Sequence, residues 1–284
     1  MKHIVCYSGG HSSALVAIEL VRKHGNENVI LVNHECRLED DDVSRFEKQV
    51  AAYLGLQITY ASFEGAKIKD QFDVCMEWGN GTFVMINEGS REALCTYVMK
   101  TEPFTRYLAT NFPAYDTLFE PKSECTIYYG FDKDETARIQ RRSTIMAAMG
   151  YKTYFQLAHG ERTILSTHEI GIDPPNTYSI YKHANCKGCL KAGWQHWYCI
   201  YVLEPRIWEK GKFAESKIGY SIHKDWYLEE KEEMFEKMVK CGIEPTEKIP
   251  YATWWAMVKK ILRDYDNTIV EIPEQEAKPC ECYV

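Results

Sequence analysis

Residues 1–25, MKHIVCYSGGHSSALVAIELVRKHG, constrain the fold more than any other stretch of this chain. A short, mostly apolar run from Ile4 to Tyr7 leads into Ser8-Gly9-Gly10-His11-Ser12-Ser13. An amphipathic stretch follows, with Ala14, Leu15, Ile18 and Val21 at helical spacing. The apolar run has the length and composition of a strand buried on both faces, as in a parallel sheet. Strand, glycine turn and helix together make a corner suited to phosphate or sulfate. Gly9 and Gly10 let the backbone approach an oxyanion, Ser8, Ser12 and Ser13 offer hydroxyls, and the helix N-terminus adds partial positive charge. The other common phosphate motif, GxxxxGK(S/T), is absent.

The pattern recurs downstream. Residues 28–33 (NVILVN) read as a second buried strand. Residues 43–54 read as a helix with Phe46, Val50 and Leu54 on one face, stopped by Gly55, and residues 57–61 (QITYA) as a third strand. Residues 67–92, with Gly79, Gly81 and Gly89, have no clear period and read as a loop-rich insertion with room for one short helix. Residues 95–111 are helical in pattern, although Pro103 must start or kink a turn. Residues 126–130 (TIYYG) form the fourth predicted strand and 135–149 the helix after it.

Strands alternating with helices predict an α/β fold with a doubly wound parallel sheet. Ligands of such sheets bind beyond the carboxyl ends of the strands, where residues 8–13 and 33–36 converge. The proline-rich turn GIDPPNTY at 171–178 divides the chain. The expected organisation is a nucleotide-binding α/β domain at 1–170, a cysteine-containing segment at 171–212 and a mainly helical C-terminal region at 213–284. Helices are expected there at 225–240 and 251–263.

Trp194, His196, Trp197, Tyr198 and Tyr201 read as a helix packing its rings into a domain contact, and Trp226, Tyr227, Trp254 and Trp255 as core. Net charge is -7, from 34 basic and 41 acidic residues, so no global basic field is available to hold a nucleic acid backbone. No apolar run approaches a membrane span and no signal-peptide pattern opens the chain, so a cytoplasmic protein without a membrane partner is expected. Eleven cysteines in that compartment point to metal, cluster or thiol chemistry before disulfides.

The opening loop resembles the SGGxDS pyrophosphatase loop of the adenine nucleotide alpha hydrolase superfamily, and four later segments resemble its PAPS-reductase-like branch in the right order. Asn33-His34-Glu35-Cys36 is similar to the adenine-side segment. Cys95-Thr96 with Lys100 and Pro103 is similar to CT…K..P, and 130–138 (GFDKDETAR) to GxRxxES..R. His183-Ala-Asn-Cys186-Lys-Gly-Cys189 with Lys191 to Trp194 looks like the NCxGC..KAG segment of uncharacterised, often phage-borne, members. Two departures stand out: Ser12 where the family has Asp, and Asp132 where it has a basic residue.

The resemblance implies a doubly wound sheet of HUP, PP-loop type with a helical C-terminal region. It implies ATP, or PAPS, bound by Ser8, Gly9, Gly10, His11, Ser12, Ser13, Asn33, His34, Gly130, Arg138 and Arg142. Ser12, Lys100 and Arg138 would act on the phosphates, with Arg141 as a further cation. The implied reaction is adenylyl transfer with pyrophosphate release, activating a substrate for sulfur transfer; PAPS reduction and a nucleotide-binding module without catalysis are the alternatives. The acceptor, a nucleic acid base, a nucleotide or a small acid, stays open, as does homodimerisation. Mg2+ is expected on Asp132, Asp134 and Glu135. The Cys-x2-Cys pair implies a 4Fe-4S cluster on Cys95, Cys186, Cys189 and Cys199, with zinc as the alternative and Cys36 and His183 as further ligand candidates.

Overall fold

A computed structural model of the chain describes residues 1–79, 81–87, 90–114, 124–223 and 226–266. The first half runs β1 (Lys2–Cys6), α1 (His11–His24), β2 (Val29–Asn33), α2 (Asp41–Tyr53) and β3 (Ile58–Tyr60). After these come α3 (Gln71–Trp78), a hairpin of β4 (Val84–Asn87) and β5 (Ser90–Ala93), α4 (Leu94–Thr96), a π-helical segment Tyr97–Thr101 and α5 (Glu102–Asn111). The sheet is completed by β6 (Cys125–Tyr128), α6 (Thr136–Ala148), β7 (Lys152–Tyr154) and the short α7 (Gln156–His159).

Five of these strands form an all-parallel sheet in the order β3-β2-β1-β6-β7. Side-chain alternation in β1 explains why both faces are covered. Ile4 and Cys6 pack with Ile127 of β6, Phe104 and Leu108 of α5 and Met146 of α6. Val5 and Tyr7 pack on the other face with Ala14 and Ile18 of α1 and Phe46 and Val50 of α2. The fold is therefore α/β, with helices on both faces of a parallel sheet, as expected for double winding.

Several expected elements are corrected. A fifth strand, β7, was not expected, because Lys-Thr-Tyr is too short to carry a period. The insertion at 67–92 holds the β4–β5 hairpin as well as the helix α3. Asp70 caps that helix by accepting from the Phe72 and Asp73 amides, and Asp73 accepts in return from the Asp70 amide. Pro103 starts a helix, one of the two roles expected of it. It lies in the first turn of α5, and the lost amide is accommodated by the wider π turn before it.

After α7 the chain forms 3-10 turns at Thr167–Ile170 and Asn176–Ser179 and then α8 (Trp194–Leu203), α9 (Pro205–Ile218), α10 (Glu232–Lys240) and α11 (Tyr251–Asp266). Their core is aromatic: Trp194, Trp197, Tyr198, Trp208, Trp254 and Trp255 are all buried. Phe72, Cys75, Leu94 and Val98 belong to the same apolar cluster, so the helical region shares its core with the insertion after β3. Tyr227 departs from its expected core position and is 40% exposed. Trp226 is half-buried, with the Lys231 ammonium 3.4 Å above its ring. No helix among the described residues is long and apolar enough to cross a membrane.

Candidate functional site

The chain passes from β1 leftward to β2 and β3, then returns to lay β6 on the other side of β1. Such a reversal leaves a crevice at the carboxyl ends of the two strands. A cleft of about 370 Å³ lies there. One wall is the loop after β1, with Ser8, Gly10, Ser12 and Ser13. The second is the β6–α6 connection, with Gly130, Phe131, Asp134, Glu135 and Arg138. The third comes from Tyr178, Lys182, His183 and Ala184, and Cys6 also lines the cleft.

The loop's shape follows from two glycines that differ in role. Gly9 has φ +71°, and a Cβ there would stand 2.6 Å from Val43 Cγ1. Gly130 lets the β6 end close on the start of α1, since a Cβ would lie 3.0 Å from the Ser13 nitrogen. Ser13 is buried and braces the loop: its hydroxyl donates to the Gly10 carbonyl at 2.8 Å and accepts from the Ser8 amide at 3.3 Å. Helix α1 begins at His11, earlier than the sequence implied, so Ser12 and Ser13 sit in its first turn. Amides there have no partner within the helix. The first turn of α1 has no acidic residue, so nothing in it offsets the partial positive charge that favours an anion at the cleft end.

Arg138 faces this corner from α6. It pairs with Glu135 and its guanidinium lies 4.2 Å from the Phe131 ring centroid, so it is held in place before any ligand arrives. Asp132 does not line the cleft. It pairs with Arg162 at 2.6 Å, and that hydrogen bond and charge hold its carboxyl below the usual range. The expected trio of magnesium carboxylates is thus divided: Asp132 pairs with Arg162 outside the cleft, Glu135 lines the cleft paired with Arg138, and Asp134 lines it beside them. Burial, then the charges of Lys182 and Arg138, lowers the pKa of His183, which favours the neutral ring.

Other expected ligands are used elsewhere. The His11 amide donates to the Tyr178 hydroxyl at 3.0 Å and its Nε2 accepts from the Thr167 amide at 3.2 Å, so its side chain tethers a neighbouring turn. Asn33 donates to Glu47 at 2.5 Å in the interior. His34 bonds through Nδ1 to the Ala61 carbonyl, and burial lowers its pKa to about 4. Arg142 is buried with its guanidinium 5.6 Å from the Tyr129 ring. Lys100 does not line the cleft and interacts with Cys36.

Sequence reasoning missed Tyr178 and Lys182, because 171–178 read as a divider when it folds back over the α1 N-terminus. It also missed Glu47, which takes hydrogen bonds from Asn33 and Tyr60 beneath Gly9. Burial raises its pKa to about 7.

The described cysteines form no single ligand set. Cys36 interacts with Cys186, Cys95 lies near Cys75 and Cys189, and Cys199 is buried within α8 near Glu247. Among the described residues no group of three or more His, Cys, Asp or Glu is placed to hold a metal ion. The donor set expected for a four-iron cluster or zinc does not fit this arrangement. Cys280 and Cys282 lie outside the described residues. Comparison with protein-family models and with curated proteins finds no match for this chain.

Proposed function

We propose that the cleft binds ATP and that the protein transfers the adenylyl group to an acceptor with release of pyrophosphate. The observation that carries this reading is the opposition of two features across one cleft: the α1 N-terminal turn with Ser8, Gly10 and Ser12, and the pre-positioned Arg138. The resemblance of the loop to SGGxDS supports it further, and extends it to a sheet of HUP, PP-loop type.

On this reading the β- and γ-phosphates lie against the loop and the first turn of α1, where amides and hydroxyls meet their oxygens. The acceptor's nucleophilic atom forms a bond to the α-phosphorus while the bond from that phosphorus to the pyrophosphate oxygen breaks. Arg138 stabilises the charge that builds on the phosphoryl oxygens. Asp134 would hold Mg2+, which supplies charge neutralisation on the phosphates. The activated acceptor then suits displacement of AMP by a sulfur nucleophile.

The test is pyrophosphate release from Mg2+ and ATP, with isothermal titration of ATP alongside. Binding with micromolar affinity and release that falls sharply in Arg138→Ala supports the reading; no ATP binding overturns it. Ser12, in place of a loop carboxylate, favours a second reading, a nucleotide-binding module without turnover. Its signature is ATP binding with no pyrophosphate release. Sulfite release from PAPS identifies the reductase alternative.

A further inference from the structure

A second cluster stands at the β2 end of the same sheet edge, outside the cleft. Cys36, buried after β2, and Cys186 share one apolar cluster, and the interaction with Cys186 together with burial pushes the Cys36 thiol well up, with the Lys100 ammonium opposing that shift. Three tethers hold Cys186 there. The Lys187 amide donates to the Leu38 carbonyl at 2.8 Å. The Lys187 ammonium bridges Asp40 at 3.2 Å and Glu204 at 2.5 Å. Gln71 Nε2 donates to the carbonyls of Lys187 at 2.7 Å and Gly188 at 3.1 Å. Gly188, at φ +68°, then turns the chain so that Cys189 lies towards Cys95. The two thiols of the Cys-x2-Cys pair therefore meet different partners, and the partner of Cys186 comes from 150 residues earlier in the chain.

We propose that Cys36 and Cys186 form a thiol–disulfide exchange centre whose substrate class is a low-molecular-weight disulfide such as oxidised glutathione. Cys186 is the more exposed thiol and reacts first: its thiolate bonds to one sulfur of the disulfide and expels the other as a thiolate. The thiolate expelled in the first step takes the proton of Cys36, whose sulfur then attacks the Cys186 sulfur and expels the second thiolate. Two protein thiols are oxidised to one disulfide, and the external disulfide is reduced to two thiols. Lys100 stabilises the Cys36 thiolate during the second step.

Trypsin makes the test direct, because it cuts after Lys187 and puts Cys36, Cys186 and Cys189 on separate peptides: 24–37, 183–187 and 188–191. The full chain is incubated with oxidised glutathione, residual thiols are alkylated in acid, and the digest is mapped by mass spectrometry. The expected product links 24–37 to 183–187 and is removed by dithiothreitol. Cys36→Ser stops at a glutathione adduct on 183–187, while Cys189→Ser still forms the link. A link between 183–187 and 188–191 as the main product, or no link with all thiols alkylated, overturns the proposal. The outcome does not depend on nucleotide binding.

Discussion

The two clusters on the carboxyl edge of the sheet are built by opposite means. The cleft takes its central wall from six consecutive residues and relies on backbone, hydroxyls and absent side chains: Gly9 and Gly130 matter for the atoms they lack. The thiol cluster draws Cys36, Lys100 and Cys186 from three distant segments, with Cys75, Cys95 and Cys189 beside it, and relies on side-chain packing. A contiguous motif announces where its chemistry lies but not what folds over it. A dispersed cluster announces only that thiols are present.

The largest expected effect breaks the backbone half of this contrast. Gly9→Val forces a β-branched side chain into the left-handed region and against Val43. It should cost roughly 3–4 kcal/mol in denaturant unfolding and abolish ATP binding. A stable variant that binds ATP would show that the loop's shape is not what the cleft depends on.

Next comes the pH response of Glu47. Its pKa is raised from 4.5 to about 7 by burial, so the native state holds a proton there that the unfolded chain has released. Its contribution to stability is fully present below about pH 4.5 and is lost as pH rises towards 7. Glu47→Gln should remove up to on the order of 3 kcal/mol of that decline, read as a flatter plot of unfolding free energy against pH. An unchanged slope would place the titration elsewhere.

Arg138→Ala should lower pyrophosphate release about 100-fold, the effect of losing one pre-organised charge donor, with the melting temperature little changed. Lys100→Met addresses the other cluster and should slow closure of the Cys36–Cys186 disulfide about tenfold, because it removes the cation beside the Cys36 thiolate. Smallest is Gly10→Ala. A Cβ there meets the Tyr178 hydroxyl at an ordinary 3.4 Å, so stability should change by less than about 1 kcal/mol while the methyl group enters the cleft and weakens ATP binding. A large stability loss would mean that Gly10, like Gly9, is needed by the fold itself.

Legibility in the sequence followed the same division. β1, β2, β3 and β6 could be read because buried parallel strands are short apolar runs, and α1 and α2 because their apolar faces repeat. β7 could not, since its three residues bury little and are placed by pairing with β6. Ser8, Gly10, Ser12, Gly130 and Arg138 were readable as cleft residues. Asn33, His34, Arg142 and Lys100 were assigned by motif, yet their side chains are committed to Glu47, Ala61, the Tyr129 ring and Cys36. Such commitments depend on tertiary neighbours far away in sequence, which spacing alone does not encode. Cys-x2-Cys misled for the same reason: proximity along the chain gave way to the tethers at Lys187.

The central place of β1 also has a consequence for how the chain is born. Lys2 to Val5 pair on one side with residues 29–31 and their neighbours, but on the other with Cys125 to Tyr128. During synthesis the first three strands can assemble while β1 still presents an open apolar edge, and Gly130 has yet to be translated. A ribosome that stalls before Cys125 leaves open an edge of a strand whose residues Ile4 and Val5 the finished protein buries completely. That interval is when a chaperone, or a second nascent chain, has access to it.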